Sequence, residues 1–317
     1  MHRMTSSALQ SIAYTSRGNL RALWRLTAFA SAFFLIVAVV DAMAQQVAGF
    51  SSTSALSAET VQEFVLAISA LTAIGVVVRF VDNESWSIVA LDKPTWRRDK
   101  ILNGATLGML AIATTAALLF ALQSLRIEFP ASNTPNQSSL QTWLVSAAGI
   151  SIMLAPAALF EELIFRGYLW RVTEDATNSS VALMVTSFVF GLSHLQNAGA
   201  GALSIFNVML AGVALGLVRQ VSNSVPAAWA AHFAWNWMMA VALHGPVSGL
   251  PLSTPGYHAV AQGPDWVSGG NWGPEGGAIA TVVLAAFIIW GVRLSSLNLN
   301  LHNFNHDRMA RSSYGAN

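Results

Sequence analysis

The chain has 317 residues, of which 54% are hydrophobic and 10% are charged. Because an ordinary soluble domain carries about 25% charged residues, and the mean hydropathy here is +0.52, the composition indicates an integral membrane protein. The sequence has no cysteine, which excludes disulfides and thiolate chemistry and leaves histidines and carboxylates as metal ligands. No long basic stripe is present, so nucleic acid is not expected as a partner.

Eight apolar segments are long enough to span a bilayer, which takes about 17–25 residues. In chain order they lie near 26–44, 60–81, 101–124, 142–165, 181–197, 202–219, 225–243 and 277–293. They predict an all-α fold, a polytopic transmembrane bundle of about eight spanning helices. The first segment ends in Ala42-Met43-Ala44, which resembles a signal-peptidase site, but its long Arg-rich flank favours a retained span.

These segments form one predicted membrane-embedded domain over 21–294, between a polar N-terminal tail at 1–20 and a polar C-terminal tail at 295–317. With the N-terminus inside, every lysine and arginine except Arg126 falls in a cytoplasmic segment, as the positive-inside rule predicts. We therefore expect a multi-pass protein of a bacterial-type inner membrane with both termini cytoplasmic. The Gly-, Pro- and Trp-rich segment 244–277 is either an ordered external cap or a plain connector.

Few ionisable side chains interrupt the spans, and each costs about 2.5–3.5 kcal/mol to insert at membrane depth. They are Glu161, Glu162, Arg166, His194 and His232, together with the polar Asn236. At about 1.5 Å per helical residue, the fourth, fifth and seventh segments place them in one band of the cytoplasmic half. We therefore expect these residues to form a single site.

Helical spacing predicts the partners of the two adjacent glutamates. Glu162 and Arg166 are separated by four residues and can neutralise one another. Glu161 is rotated by about 100° and should face a different neighbour. Taken alone, the Glu162–Arg166 pair is more typical of a structural ion pair than of direct chemistry.

The histidines have their own helical neighbours. His232 and Asn236 share one helix face, and Phe190 lies one turn from His194, where it can support the ring. A lone His194 is more typical of a core histidine, and His232 with Asn236 could simply hold helices together by hydrogen bonds. Their common depth favours a shared active site.

Together these groups predict water-mediated amide hydrolysis without a protein nucleophile. Glu161 is the candidate general base, since burial and neighbouring groups can tune a carboxyl group for this task. His194 would help to orient and deprotonate the water. His232 and Asn236 offer N–H donors that can stabilise the oxyanion formed when a carbonyl is attacked.

Three motifs carry a family resemblance: Glu161-Glu162-Leu-Ile-Phe-Arg166, Phe190-Gly-Leu-Ser-His194 and His232-Phe-Ala-Trp-Asn236. In this order they resemble the CAAX prenyl protease and bacteriocin-processing family (CPBP, also called Abi) of intramembrane endopeptidases. The loop 263–277 is similar to one in bacterial members.

The resemblance implies that Glu161 and His194 activate water, that His232 and Asn236 form the oxyanion side, and that the Glu162–Arg166 pair supports them. It also implies a membrane-associated peptide or protein substrate. Some family members remove a C-terminal tripeptide from prenylated proteins, but that substrate does not carry over to this chain.

No cofactor is expected. If zinc were bound, Glu161, His194 and His232 would be its ligands, but Asn236 beside His232 suits an oxyanion hole better. The signatures of zinc, rhomboid and presenilin-like membrane proteases are absent. Two other functions stay open: a non-catalytic membrane scaffold, immunity or regulatory protein of the same fold, and a transporter with a buried proton relay.

Overall fold

A computed structural model of the chain describes residues 13–14, 20–50, 57–129, 140–252 and 256–293. The regular structure in this part of the chain is almost entirely helical, which confirms the predicted all-α bundle. The predicted C-terminal tail lies outside the described residues, as does nearly all of the N-terminal tail.

The helices are named in chain order. They are α1 (Ala22–Phe50), α2 (Ala58–Phe80), α3 (Arg98–Ala121), α4 (Leu140–Ala176), α5 (Ser179–Ser193), α6 (Ala202–Ser222), α7 (Val225–Trp237), the short α8 (Asp265–Ser268) and α9 (Ala278–Arg293). Helix α4 contains a π-helical turn over Leu163–Tyr168, and a second π-helical turn, Met238–Ala242, extends α7. Two strands, β1 (Leu125–Glu128) and β2 (His258–Ala261), pair in antiparallel fashion with Leu125 opposite Ala261.

Each of the eight predicted segments coincides with one of these long helices. By length and composition, α1, α2, α3, α4 and α6 can each cross a membrane, whereas α5 and α9 are shorter apolar helices. The chain is therefore a multi-pass membrane protein, and the count of eight spans stays a prediction.

The structure corrects the end of the fourth segment. Helix α4 continues through its π-helical turn to Ala176, so Arg166 lies inside the bundle and its side chain is fully buried. Arg219 of α6 is also buried. Its Nε donates to the Arg166 carbonyl oxygen at 3.3 Å, and its guanidinium stacks over Trp170 at 4.7 Å. Two arginines that were assigned to cytoplasmic segments are thus internal, because the bundle provides their acceptors.

Helices α5 and α7 each begin after a residue whose side chain caps the first turn. The Asn178 side chain accepts from the backbone N–H groups of Ser180 and Val181 at 3.0 and 3.1 Å. Ser224 Oγ accepts from the Ala227 N–H at 3.1 Å. These bonds satisfy donors that a helix start leaves open, and they fix where the two histidine-bearing segments begin.

Helix α7 lies very close to α3. A Cβ atom added at Gly104 would stand 2.1 Å from the Ala227 carbonyl oxygen, and one at Gly108 would stand 2.0 Å from the Ala231 carbonyl oxygen. Glycines spaced by four residues let two helix backbones approach closely. This contact fixes the position of His232, which follows Ala231 directly.

The segment 244–277, hereafter the cap, is ordered in its described residues and is not a plain connector. Strand β2 belongs to it and pairs with β1, which follows α3. Its Trp272 and Glu275 side chains are buried. The cap therefore closes one end of the helix bundle.

Candidate active site

Glu162 lies at the centre of a buried charge cluster. Its Oε1 accepts from Arg166 Nη1 at 3.0 Å and from His232 Nδ1 at 2.9 Å. Arg166 also donates from Nη2 to the Gly212 carbonyl oxygen at 3.0 Å. The Glu162–Arg166 pair is thus present at the predicted spacing, and it binds α4 to both α6 and α7.

His232 lies between the two adjacent glutamates. Its Nδ1 contacts Glu162, while its Nε2 is 3.8 Å from Oε2 of Glu161. The expectation that Glu161 faces a different neighbour is therefore wrong, because α7 brings one imidazole within reach of both carboxylates. Since Glu162 accepts the Nδ1 hydrogen, Nε2 carries a lone pair in the neutral ring and a hydrogen in the imidazolium.

Glu161 differs from its neighbour in exposure and in bonding. Its side chain is 28% exposed, and its Oε2 atom, like Oε2 of Glu162, is buried and has no hydrogen-bond partner among the described residues. A buried polar atom without a partner costs free energy and calls for an explanation. A carboxylate oxygen that is free beside an imidazole is suited to accept a hydrogen from water.

His194 directly follows the last residue of α5, and one of its two ring nitrogens is hydrogen-bonded to the backbone. Its Nδ1 lies 2.9 Å from the Phe190 carbonyl oxygen, which can only accept, so Nδ1 carries the hydrogen and Nε2 is left with a lone pair. The Phe190 ring meets the His194 ring edge-on, with centroids 4.9 Å apart, and it also packs on His232 at 5.9 Å. One aromatic ring therefore supports both histidines, and the Arg166 guanidinium lies 4.4 Å over its centre.

His194, His232 and Asn236 line one cavity of about 60 Å³. Its walls are mostly apolar and come from α3, α6 and α9. Glu161 is not among the lining residues, and its contact with the cavity is through the His232 ring, whose Nε2 it approaches. The Asn236 side chain has no hydrogen-bond partner in the described part of the chain. The structure thus brings three of the four predicted catalytic residues to one cavity and the fourth beside it.

Residues 137–238 match the model of the Rce1-like family, described as type II CAAX prenyl endopeptidase. The matched segment includes all of α4–α7 and every residue of the three motifs. The predicted family resemblance is confirmed. The match covers about a third of the chain and supports a protease at the family level, while α1–α3 and the cap lie outside it. No protein of curated function matches the chain.

The residues do not assemble the zinc site considered above. Within the described residues, no three histidine or carboxylate side chains lie close enough together to hold a metal ion. Glu161, His194 and His232 therefore do not form a three-ligand set in this arrangement. The His194 and His232 rings both pack on Phe190.

The structure adds two cavity residues that sequence reasoning did not select. Glu275 and Ser248, both from the cap, line the same cavity as the histidines. One signal for Glu275 is present in the sequence: it is the only acidic residue between Asp265 and Asp307, and it comes just before an apolar helix.

Proposed function

We propose that this chain is an intramembrane endopeptidase in which water, activated by Glu161, hydrolyses a peptide bond without a metal and without a covalent intermediate. The observation that carries the proposal is the arrangement of Glu162, His232 and Glu161 beside the cavity, with a free buried oxygen on Glu161. The family match supports the same class of reaction.

In the proposed reaction, the water oxygen attacks the carbonyl carbon while one water proton passes to Glu161. The free Nε2 of His194 accepts a hydrogen bond from the same water and orients it. The tetrahedral intermediate then collapses, the C–N bond breaks, and the proton on Glu161 passes to the leaving nitrogen. General acid–base catalysis of this kind contributes about 10²–10⁴-fold.

The oxyanion faces His232 and Asn236, which lie one turn apart on α7. Asn236 donates from its side-chain amide, and His232 donates from Nε2 when the ring is protonated. Glu162 balances the charge of the imidazolium through Nδ1, and Arg166 in turn balances Glu162. This assigns Glu162 and Arg166 a supporting role.

The substrate in this proposal is a membrane-associated peptide or protein, because the cavity walls are apolar and the helices around it lie in the lipid bilayer. We place the protein in a bacterial-type inner membrane with both termini in the cytoplasm. That orientation is supported by the lysines and arginines outside the bundle, which cluster on one side of the predicted topology.

The experiment compares membrane proteomes from cells with the wild-type protein, Glu161→Gln and Glu84→Gln, and searches for new C-termini. Glu84 is an exposed carboxylate outside the helices, so the second variant is a matched control for the same chemical change. New C-termini should appear with the wild type and Glu84→Gln and disappear with Glu161→Gln, His194→Ala and His232→Ala at equal levels of inserted protein. If Glu161→Gln retains them all, the protease is wrong and the non-catalytic scaffold is the better reading.

A further inference from the structure

We propose that Glu275 is a positioning residue: it clamps the cap onto the two segments that carry His194 and the His232–Asn236 pair, and so sets the geometry of the cavity. The proposal rests on the proposed protease function for its kinetic consequences. Its structural consequence, a clamped cap, can be measured without any substrate.

The Glu275 carboxylate is the hub of three hydrogen bonds. Its Oε1 accepts from the backbone N–H of Ser248 at 2.8 Å and from Ser248 Oγ at 2.7 Å. Its Oε2 accepts from Trp235 Nε1 at 2.7 Å. The residue is only 8% exposed, and a buried carboxylate is tolerated only when such donors replace water.

The bond to Trp235 reaches the catalytic turn of α7. Trp235 directly precedes Asn236 and lies three residues after His232, and all three line the cavity. Holding the Trp235 indole therefore fixes the rotation of the helix turn that presents the oxyanion side. Since Glu275 itself is fully engaged with protein donors, it acts through Trp235 and not on the reacting atoms.

The Ser248 side of the hub reaches the other histidine. Asn197, three residues after His194, donates from Nδ2 to the Ser248 carbonyl oxygen at 3.0 Å. Ser248 has a φ of +49°, a conformation that costs free energy in a non-glycine residue and persists where surrounding contacts hold it. The two bonds from Ser248 to Glu275 are such contacts, so the loop after α5 is tied to the same carboxylate.

A third anchor holds the backbone of Glu275. Asn207 of α6 donates from Nδ2 to the carbonyl oxygens of Glu275 and Gly277, both at 2.9 Å. Asn207 Oδ1 in turn accepts from Thr281 Oγ1 at 2.6 Å. The carboxylate is thus presented from a fixed backbone, which a rigid clamp requires.

The test uses purified full-length protein in proteoliposomes with a peptide taken from a cleavage site found in the proteome comparison. Glu275→Gln leaves one acceptor oxygen for three donors, and Trp235→Phe removes one of those donors, so both variants disturb the same hydrogen-bonded group. We expect each variant to lower kcat by about ten- to hundredfold with little change in KM, since a misplacement of about 1 Å can cost such a factor. Asp265→Asn, an exposed acidic residue of the same cap, should behave as wild type.

A double variant shows whether Glu275→Gln and Trp235→Phe disturb one shared interaction or cause two independent defects. If Glu275 acts through Trp235, the double variant Glu275→Gln with Trp235→Phe should have a kcat within about twofold of that of the less active single variant. The reason is that two changes to one interaction do not add. Effects that multiply would overturn the proposal, as would a Glu275→Gln enzyme whose kcat is wild-type. If Glu275→Gln does not insert, Trp235→Phe and Ser248→Ala, which each leave the carboxylate other donors, take its place.

Hydrogen exchange tests the clamp when no substrate is cleaved. In Glu275→Gln, backbone amides of the described cap segments 244–252 and 256–277 should exchange faster than in the wild type and in Asp265→Asn. Unchanged exchange would overturn the proposal whatever the kinetics show. A wild type that cleaves nothing would overturn the protease function alone, since the exchange result would still stand for the clamp.

Discussion

Helix α4 and the cap each bring a buried glutamate against α7, but donors of different kinds satisfy the two carboxylates. Glu162 meets charged or chargeable groups, Arg166 and His232. Glu275 meets only neutral donors, from Trp235 and Ser248. Glu162 and its neighbour Glu161 each have one carboxylate oxygen without a hydrogen-bond partner among the described residues, whereas both oxygens of Glu275 are bonded.

The difference in hydrogen bonding between the two glutamates indicates which part of the molecule reacts and which part anchors it. A charge cluster at membrane depth that leaves an oxygen free can exchange protons with a substrate or with water. A carboxylate whose oxygens accept three hydrogen bonds from neutral donors is held in place and holds its donors in place. We therefore assign reactivity to the helices and anchoring to the cap, and each prediction below tests that division.

The largest effect on stability is expected from Glu162→Gln. The change leaves the fully buried Arg166 without its counter-charge, and breaking one partner of a buried ion pair costs about 3–5 kcal/mol. Glu275→Gln should cost about 1–3 kcal/mol, the range for leaving a buried hydrogen-bond donor without an acceptor. Equilibrium unfolding in detergent micelles measures both, and a larger loss for Glu275→Gln would contradict the comparison.

The next largest loss of unfolding free energy is expected from a variant that disturbs helix packing. Gly108→Ala places a Cβ against the Ala231 backbone, and overpacking of this kind costs about 1–3 kcal/mol. Because α7 must move away from α3, cleavage should fall as well. Gly149→Ala is the matched control, since a Cβ there meets nothing within 4 Å and alanine is the better helix former.

Ser248→Ala should have a small effect. It removes one of the three hydrogen bonds to Glu275 and leaves the backbone N–H donor in place. The expected loss of unfolding free energy is about 0.5–1.5 kcal/mol, read from the same unfolding curves. If Ser248→Ala lowered the free energy of unfolding as much as Glu162→Gln does, the assignment of a purely anchoring role to the cap would be wrong.

Metal removal should have no effect on cleavage. The described residues contain no three-ligand group, and the proposed reaction uses only protein side chains and water. Cleavage of the proteoliposome substrate should therefore be equal before and after dialysis against a chelator. Loss with chelator and recovery with zinc would replace the metal-free proposal by a zinc enzyme.

The sequence by itself determined what depends on neighbours along the chain. Apolar runs predict the helices, because backbone groups in lipid must bond within their own segment. Fixed helical spacing pairs Glu162 with Arg166, and Asn178 caps α5 because its side chain reaches N–H groups two and three residues ahead. These relations hold whatever the helices pack against.

Only the tertiary structure decided which helices share a partner. His232 is 70 residues from Glu162 in sequence, so no periodicity shows that it lies between two adjacent carboxylates. Glu275 meets α7 across 40 residues and a turn-rich cap, whose path has no repeating pattern to read. The close approach of Gly108 to Ala231 is a tertiary contact of the same kind, since the separation of two helices depends on the side chains between them.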